Sequence, residues 1–469
     1  MRLRQDVPPQ RLVKPVGRGA LTAQSPRSAG LRPGASRCGS RCAGSETGAP
    51  ARSSIPAREH RRASGIELSH GGGRIRFVMQ LTFLRRNMNR NFSWGGAPLL
   101  AALLHAAPNV LMAQTNQTDA VRWLAKSDLA PPFVVPASRG DWEARRKQVR
   151  AQLWELLGKL PPRPRLPKVE TLSTQDRGDY VVEKFQFDNG AGATVPGYLL
   201  RPKNLSGKAP AILYCHWHGG EYDIGKEELF QAKHTPEPPG PALAKLGFVV
   251  LGIDAYCFGE RNGRGPGGPA EMGAAGELTA SKFNLWVGRT LWGMMLRDDL
   301  MALDYLASRP EVDARRIGVT GMSMGATRSW WLMALDERIR TGVAVACLTR
   351  YQNLIEHEML KAHGIYYFVP NLLNHFDTEA VVALIAPRPA LFMNGDQDGG
   401  SPVDGIRAIE QSVRPAYRLY GKESEFQSFI YAGQGHVYTP EMWAKTLAWM
   451  KERLKQGSPK PKVQGPKSE

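Results

Sequence analysis

From about Thr118 onward, short unbroken apolar runs alternate with longer stretches in which apolar residues recur every three or four positions. The runs 209–215, 247–253, 317–320, 342–347 and 390–394 are too short for buried helices and read as strands, with 426–431 as a last one. Residues 180–187 and 194–200 form two further strand patterns around Asn189-Gly190, the signature of an antiparallel hairpin. The helical stretches include 141–160, where Trp142, Val149, Leu153 and Leu156 share one side and Gly158 and Pro161-Pro162 supply a stop. Others are 298–308, 326–335 and a C-terminal segment containing Trp443 and Trp449. Strands that are apolar throughout, interleaved with helices, predict an α/β domain with a mostly parallel sheet covered on both faces.

Before this region the pattern fails. Residues 1–78 are rich in Arg, Gly, Ser, Ala and Pro without apolar periodicity, a composition that buries too little surface to offset its ordering entropy. They read as a disordered basic extension, an organelle transit peptide, or the product of a start codon set too far upstream. Residues 79–116 resemble a secretory signal: Met79 or Met88, then Arg85, Arg86 and Arg90, an apolar run over 97–113, and a small residue before Gln114. His105, Pro108 and Asn109 interrupt the run, and an ordinary helix is the competing reading. The expectation is export to the periplasm or medium, with a cytoplasmic or organellar location as the alternative. Residues 117–164 are a helical lead-in, 165–455 the main domain, and 456–469 a disordered Lys/Pro/Gly/Ser-rich tail.

Charge changes the picture only by where it sits. The chain of 469 residues carries 62 Lys and Arg against 43 Asp and Glu, a formal +19. Residues 1–90 hold +14 of this and residues 451–469 hold +4, leaving 38 basic and 37 acidic residues in the body. A nucleic-acid enzyme would carry its positive field on the folded face, so no nucleic-acid partner is expected. No stretch reaches the length of an uninterrupted membrane span, so no stable membrane anchor is expected either. Five cysteines are too few for a disulfide framework, and no metal-ligand spacing occurs, so neither metal nor cofactor is expected.

The candidate chemistry centres on Gly321-Met322-Ser323-Met324-Gly325, set between a strand pattern and a helix pattern. A G-x-S-x-G in that context is a nucleophile elbow, and Gly321 and Gly325 leave room for the sharp turn that exposes the serine. A serine needs a base and a carboxylate, which in this arrangement follow in the order Ser, Asp, His. After the strand pattern 390–394 come Asp396 and Asp398; after 426–431 comes His436 in a glycine-flanked turn. Asp398 is the favoured acid because it lies further from the strand end; Asp396 is the alternative, with Asp404 behind both. His357, His363 and His375 lie between elbow and acid loop and are at most substrate contacts. The oxyanion donors expected are the amides of Met324 and of Gly220, with Gly219 as second choice, in the stretch His216-Trp217-His218-Gly219-Gly220. Read as a metal site, this stretch lacks a third ligand.

These features resemble the α/β-hydrolase superfamily over roughly 165–455, and within it the acetyl xylan esterase and dienelactone-hydrolase-like esterases. The likeness extends to Val195-Pro196-Gly197-Tyr198-Leu199-Leu200-Arg201-Pro202, to Asp254 with Phe258-Gly259-Glu260-Arg261, to Asp298-Asp299-Leu300 and to Ala386-Pro387-Arg388-Pro389. Met322 and Met324 depart from the smaller or polar residues such esterases often show, and Ser323 departs from the cysteine of a dienelactone hydrolase. The resemblance implies a metal-free serine hydrolase acting on small carboxylic esters, often acetyl esters of carbohydrate. Segments 222–245, 260–285 and 351–378 would shape the pocket, with Tyr256, Trp286, Tyr366 and Tyr367 as candidate lining residues. A serine peptidase of the prolyl-oligopeptidase kind shares the triad order, but too few residues precede 165 for its β-propeller. A binding protein on the same scaffold would lack a triad member.

Overall fold

The computed structural model describes residues 118–455; the extension, the signal-like segment and the tail lie outside the described residues. Nine strands form one sheet: β1 (Val169–Asp176), β2 (Tyr180–Asp188), β3 (Thr194–Pro202), β4 (Ala209–Cys215), β5 (Val249–Ile253), β6 (Val312–Met322), β7 (Ile339–Val345), β8 (Ala390–Gly395) and β9 (Phe426–Tyr431). Their order across the sheet is β1-β2-β3-β5-β4-β6-β7-β8-β9. The first three form an antiparallel meander, β3 pairs antiparallel with β5, and every pair beyond is parallel. The expected hairpin is the β2–β3 pair; Asn189 Oδ1 accepts the Ala191 and Ala193 amides at 2.9 and 3.1 Å and so closes its turn.

Ten helices accompany the sheet among the described residues: α1 (Asp119–Ala125), α2 (Arg139–Leu157), α3 (Pro239–Lys245), α4 (Gly273–Trp286), α5 (Leu291–Ser308), α6 (Met324–Leu335), α7 (Tyr351–Glu356), α8 (Thr378–Ala383), α9 (Val403–Arg418) and α10 (Pro440–Lys455). The unbroken apolar strands split by parity. Ala211, Leu213 and Cys215 of β4 and Val249, Leu251 and Ile253 of β5 join one core, packed against α2, α5, α6, α8 and α9. Ile212 and Tyr214 of β4, Val250 of β5, and Leu391 and Met393 of β8 join the other, packed against α3 and α10. A strand buried on both sides has no polar face to alternate, which is why these segments read as continuous runs.

The lead-in belongs to the same body as the sheet. Trp142, Leu153 and Leu157 of α2 are wholly buried in the first core, and Arg297 of α5 donates to the carbonyls of Pro161 and Pro162 at 2.7 Å each.

Candidate functional site

In a parallel sheet, loops leaving the carboxyl ends of the strands gather on one rim, and ligands bind there. Ser323 stands at that rim, between β6 and α6, with φ 57° and ψ −118°. A side chain with positive φ is strained. Here the strain is held by Ser323 N–H donating to Val345 O at 2.9 Å and by Thr327 N–H donating to Ser323 O at 3.0 Å. Gly321 and Gly325 are both needed, since a methyl on either would run into the carbonyl of Cys215 at the end of β4. Met322 and Met324 face opposite cores and are buried, while Ser323 between them is partly exposed.

The acid and base loops are joined to each other. Gln397 N–H donates to Gln434 O at 2.8 Å, Asp396 N–H donates to Tyr431 O at 3.1 Å, and a side chain at Gly395 would strike the Gln434 backbone. This seam brings Asp398 Oδ2 to 2.7 Å from Nδ1 of His436, and Asp398 Oδ1 accepts the Gly400 amide at 3.0 Å. Asp398 is buried, whereas the side chain of His436 is 37% exposed. Asp396 is exposed and accepts the Gly433 amide at 2.8 Å, so it caps the turn and leaves the imidazole to Asp398. Asp404 is further away in function: its carboxylate contacts His357 and Asn353 at 3.0 Å.

Ser323, Asp398 and His436 line one cavity of about 690 Å³. Its walls include His218, Gly219, Gly220, His363 and Tyr366. Met324 is the first residue of α6, where amides have no partner within the helix. Gly219 and Gly220 both have positive φ, 50° and 75°, and nothing stands within 4 Å of the space a side chain at Gly220 would occupy. The Gly220 amide, however, donates to His218 Nδ1 at 3.0 Å.

Of the four candidate aromatics, Tyr366 lines the cavity. Tyr367 lies behind it, with His363 stacked on its ring at 4.1 Å between centroids. Tyr256 and Trp286 do not line the cavity. The Tyr256 hydroxyl meets Asn189 at 3.0 Å and its ring lies under the Arg261 guanidinium at 3.9 Å, so it belongs to the buried Asp298 network. Trp286 ends α4 on its outer side and is 92% exposed. His363 does reach the cavity, where its Nε2 donates to Gly400 O at 3.0 Å and burial pushes its pKa down.

Two buried carboxylates support this rim without any sequence motif to flag them. Glu228 accepts the Trp217 amide at 2.8 Å and the Tyr214 hydroxyl at 2.6 Å, and burial pushes its pKa up to about 7. Glu277 of α4 sits 2.8 Å from His218 Nε2. Both lie in segments expected to shape the pocket, but no motif singles out either carboxylate there. Under the elbow, Arg328 of α6 makes two bonds to Asp299 of α5, one of them Nε to Oδ2 at 2.8 Å. Burial works against the guanidinium charge, but the Asp299 carboxylate together with Cys215 and Glu228 raises the Arg328 pKa on balance.

Among the described residues no group of three or more His, Cys, Asp or Glu is gathered as a metal site, and no helix is long and apolar enough to cross a membrane. Cys215, Cys257 and Cys347 are buried free thiols.

Residues 123–441 match the model of the Abhydrolase family. A relative from Bacillus subtilis (strain 168), named "Putative hydrolase YtaP", is 38% identical over 311 residues, which is 66% of this chain and 100% of the relative. Among solved structures, a "putative acetyl xylan esterase" from Bacteroides fragilis NCTC 9343 aligns with TM-score 0.55 and 20% identity, over 66% of this chain and 80% of that one. A glucuronoyl esterase from Solibacter usitatus aligns with TM-score 0.54 and 17% identity, over 70% of this chain and 99% of that one. At such identities these two structures speak for the fold alone. The family match and the YtaP relative go further: the chain belongs to the Abhydrolase family and has the α/β-hydrolase fold.

Proposed function

We propose that the protein is a serine esterase that hydrolyses small carboxylic esters, including acetyl esters of carbohydrate, through an acyl-enzyme. The observation that carries this reading is the 2.7 Å contact between Asp398 and His436 Nδ1 at a cavity that also takes Ser323. A carboxylate on Nδ1 keeps the hydrogen there and leaves Nε2 as the free base. Ser323 Oγ attacks the ester carbonyl as its proton passes to His436 Nε2. The Met324 amide and an amide of the Gly219–Gly220 turn receive the negative charge that develops on the carbonyl oxygen. The tetrahedral species collapses, the alcohol leaves with the proton from Nε2, and the acyl group stays on Ser323. Water then loses a proton to the same nitrogen and attacks the acyl carbon, releasing the carboxylic acid and restoring the serine.

The cavity of about 690 Å³ suits a substrate larger than a simple acetate, and the two structural neighbours are named as an acetyl xylan esterase and a glucuronoyl esterase. Delivery by a signal-like segment beginning at Met79 or Met88 would place the enzyme where such esters occur. Initial rates on acetyl, butyryl and feruloyl esters beside a peptide anilide test the class. The expected result is turnover of the acetyl ester and none of the anilide; preference for the anilide would favour the peptidase reading.

The acid is tested separately. Asp398→Asn is expected to lower kcat by about 10⁴-fold, because the amide cannot hold the same imidazole tautomer. Asp396→Asn, which touches only the Gly433 amide, is expected to change kcat by less than about tenfold. The reverse order would move the acid to Asp396.

A further inference from the structure

The rim carries a second histidine–carboxylate pair, oriented opposite to the first. Gly220 N–H lies 3.0 Å from His218 Nδ1. A backbone amide can only donate, so Nδ1 is the unprotonated nitrogen and the ring hydrogen sits on Nε2. That hydrogen points to Glu277 Oε2 at 2.8 Å, and Glu277 is 2% exposed. The same carboxylate accepts the Tyr222 hydroxyl at 3.2 Å and the Tyr366 amide at 3.4 Å. The plane of the ring is held as firmly as its tautomer, stacked on Tyr366 at 4.9 Å and edge-on to Tyr222 and Phe258 at 5.0 Å each. In His436 the carboxylate takes Nδ1 and leaves Nε2 for the serine. In His218 the carboxylate takes Nε2 and leaves Nδ1 for the backbone.

What that backbone is matters. Trp217 to Gly220 is the turn expected to face the substrate oxygen, and it ends in two successive glycines with positive φ, residues whose backbone no side chain restrains. Its first amide, on Trp217, is tied to Glu228 at 2.8 Å. Its last amide, on Gly220, donates to His218 Nδ1 at 3.0 Å; the Glu221 amide just beyond donates to His218 O at 2.9 Å, so the imidazole is the side-chain tie at this end. Donors for a developing oxyanion must stand within a few tenths of an ångström of their working position, so a turn left loose at one end would lose catalytic power before it lost fold.

We propose that His218 and Glu277 are positioning residues for the esterase reaction. Glu277 fixes the imidazole tautomer, and the imidazole holds the Gly220 amide and with it the oxyanion turn. The inference rests on the serine-esterase reading above.

The test separates the acceptor atom from the ring. In His218→Asn the side-chain oxygen occupies the place of Nδ1 and can accept the Gly220 amide; in His218→Phe the stacked ring survives and the acceptor is lost. With an acetyl ester as substrate, His218→Phe is expected to lower kcat by about tenfold or more, with KM unchanged within about twofold, since the interaction lost acts in the transition state. His218→Asn is expected to stay within about threefold of wild type. Melting temperatures identify any variant that does not fold. Should the Phe variant fail, His218→Leu, close to Asn in shape and without an acceptor, replaces it with the same expectation. A Phe or Leu variant with wild-type kcat, or an Asn variant that falls as far as they do, overturns the proposal. Wild-type protein that hydrolyses no ester overturns the esterase reading and this one together; active wild type with the wrong order of variants overturns this one alone.

Discussion

Ser323→Ala is expected to lower kcat/KM for an acetyl ester by about 10⁵-fold or more, close to what removal of a whole triad costs. The reason is chemical: without Oγ no acyl-enzyme forms, and His436 and Asp398 have nothing to activate except water. A residual rate above solution is expected, because the elbow amide and the Gly219–Gly220 turn still bind the developing oxyanion. Folding is expected to be unaffected. The bonds that hold the strained residue are made by its backbone, to Val345 O and from the Thr327 amide, and alanine keeps both. The check is kcat/KM beside a melting temperature. A variant that retains more than about a hundredth of wild-type activity would remove Ser323 from the chemistry.

The largest effect on stability is expected at Asp299→Ala. Arg328 is 1% exposed and its charge is answered by Asp299 through paired hydrogen bonds. Burying a guanidinium is unfavourable, and a pair of this kind adds little over an apolar replacement of the same shape. Removing one partner is different, because the other charge is left in the core. The expected cost is about 3–5 kcal/mol, read from the urea midpoint at constant slope. Restoring neutrality with Asp299→Leu and Arg328→Met together is expected to recover most of it. A single-variant loss below about 1 kcal/mol would mean that water reaches the guanidinium and that the pair is not sealed. Since Arg328 lies on α6, whose first residue is Met324, the same variant tests how rigidly the elbow is supported from below.

The parts of the fold legible in the sequence were those whose physics is local or repetitive. The strands from β4 to β8 announced themselves by apolar runs because both sheet faces are covered there, and the β2–β3 hairpin did so through its Asn-Gly turn; β9, at one edge with one buried residue, showed only a weaker pattern. Strand β1 showed none: Val169–Asp176 lies at the other sheet edge with its side chains mostly in solvent, so it carries no apolar alternation. Helix α5 was expected to begin at Asp298 and begins at Leu291, capped by Thr290 Oγ1 accepting the Gly293 amide at 2.9 Å. Its first turns are buried all round, which erases the period that marks a helix.

The site divides in the same way. The proposed triad of Ser323, Asp398 and His436 could be named from the sequence because the elbow and the order of loops follow strand–loop–helix connections, and the three residues line one cavity. The preference for Asp398 agrees with the 2.7 Å contact that the seam between the two loops creates. Glu277 and Glu228 were not legible. Each matters only because a distant loop folds against it, and a carboxylate outside any recurring motif leaves no spacing to read. Trp286 misled for the same reason: its position in the chain placed it near the pocket, but the turn of α4 directs it to solvent.

The most direct measurement is mass-spectrometric mapping of the chain after reaction with a fluorophosphonate. One adduct is expected, on Ser323, formed by wild type and by Asp396→Asn, strongly slowed in Asp398→Asn and absent from Ser323→Ala. An adduct on another residue, or one that survives Ser323→Ala, would contradict this assignment.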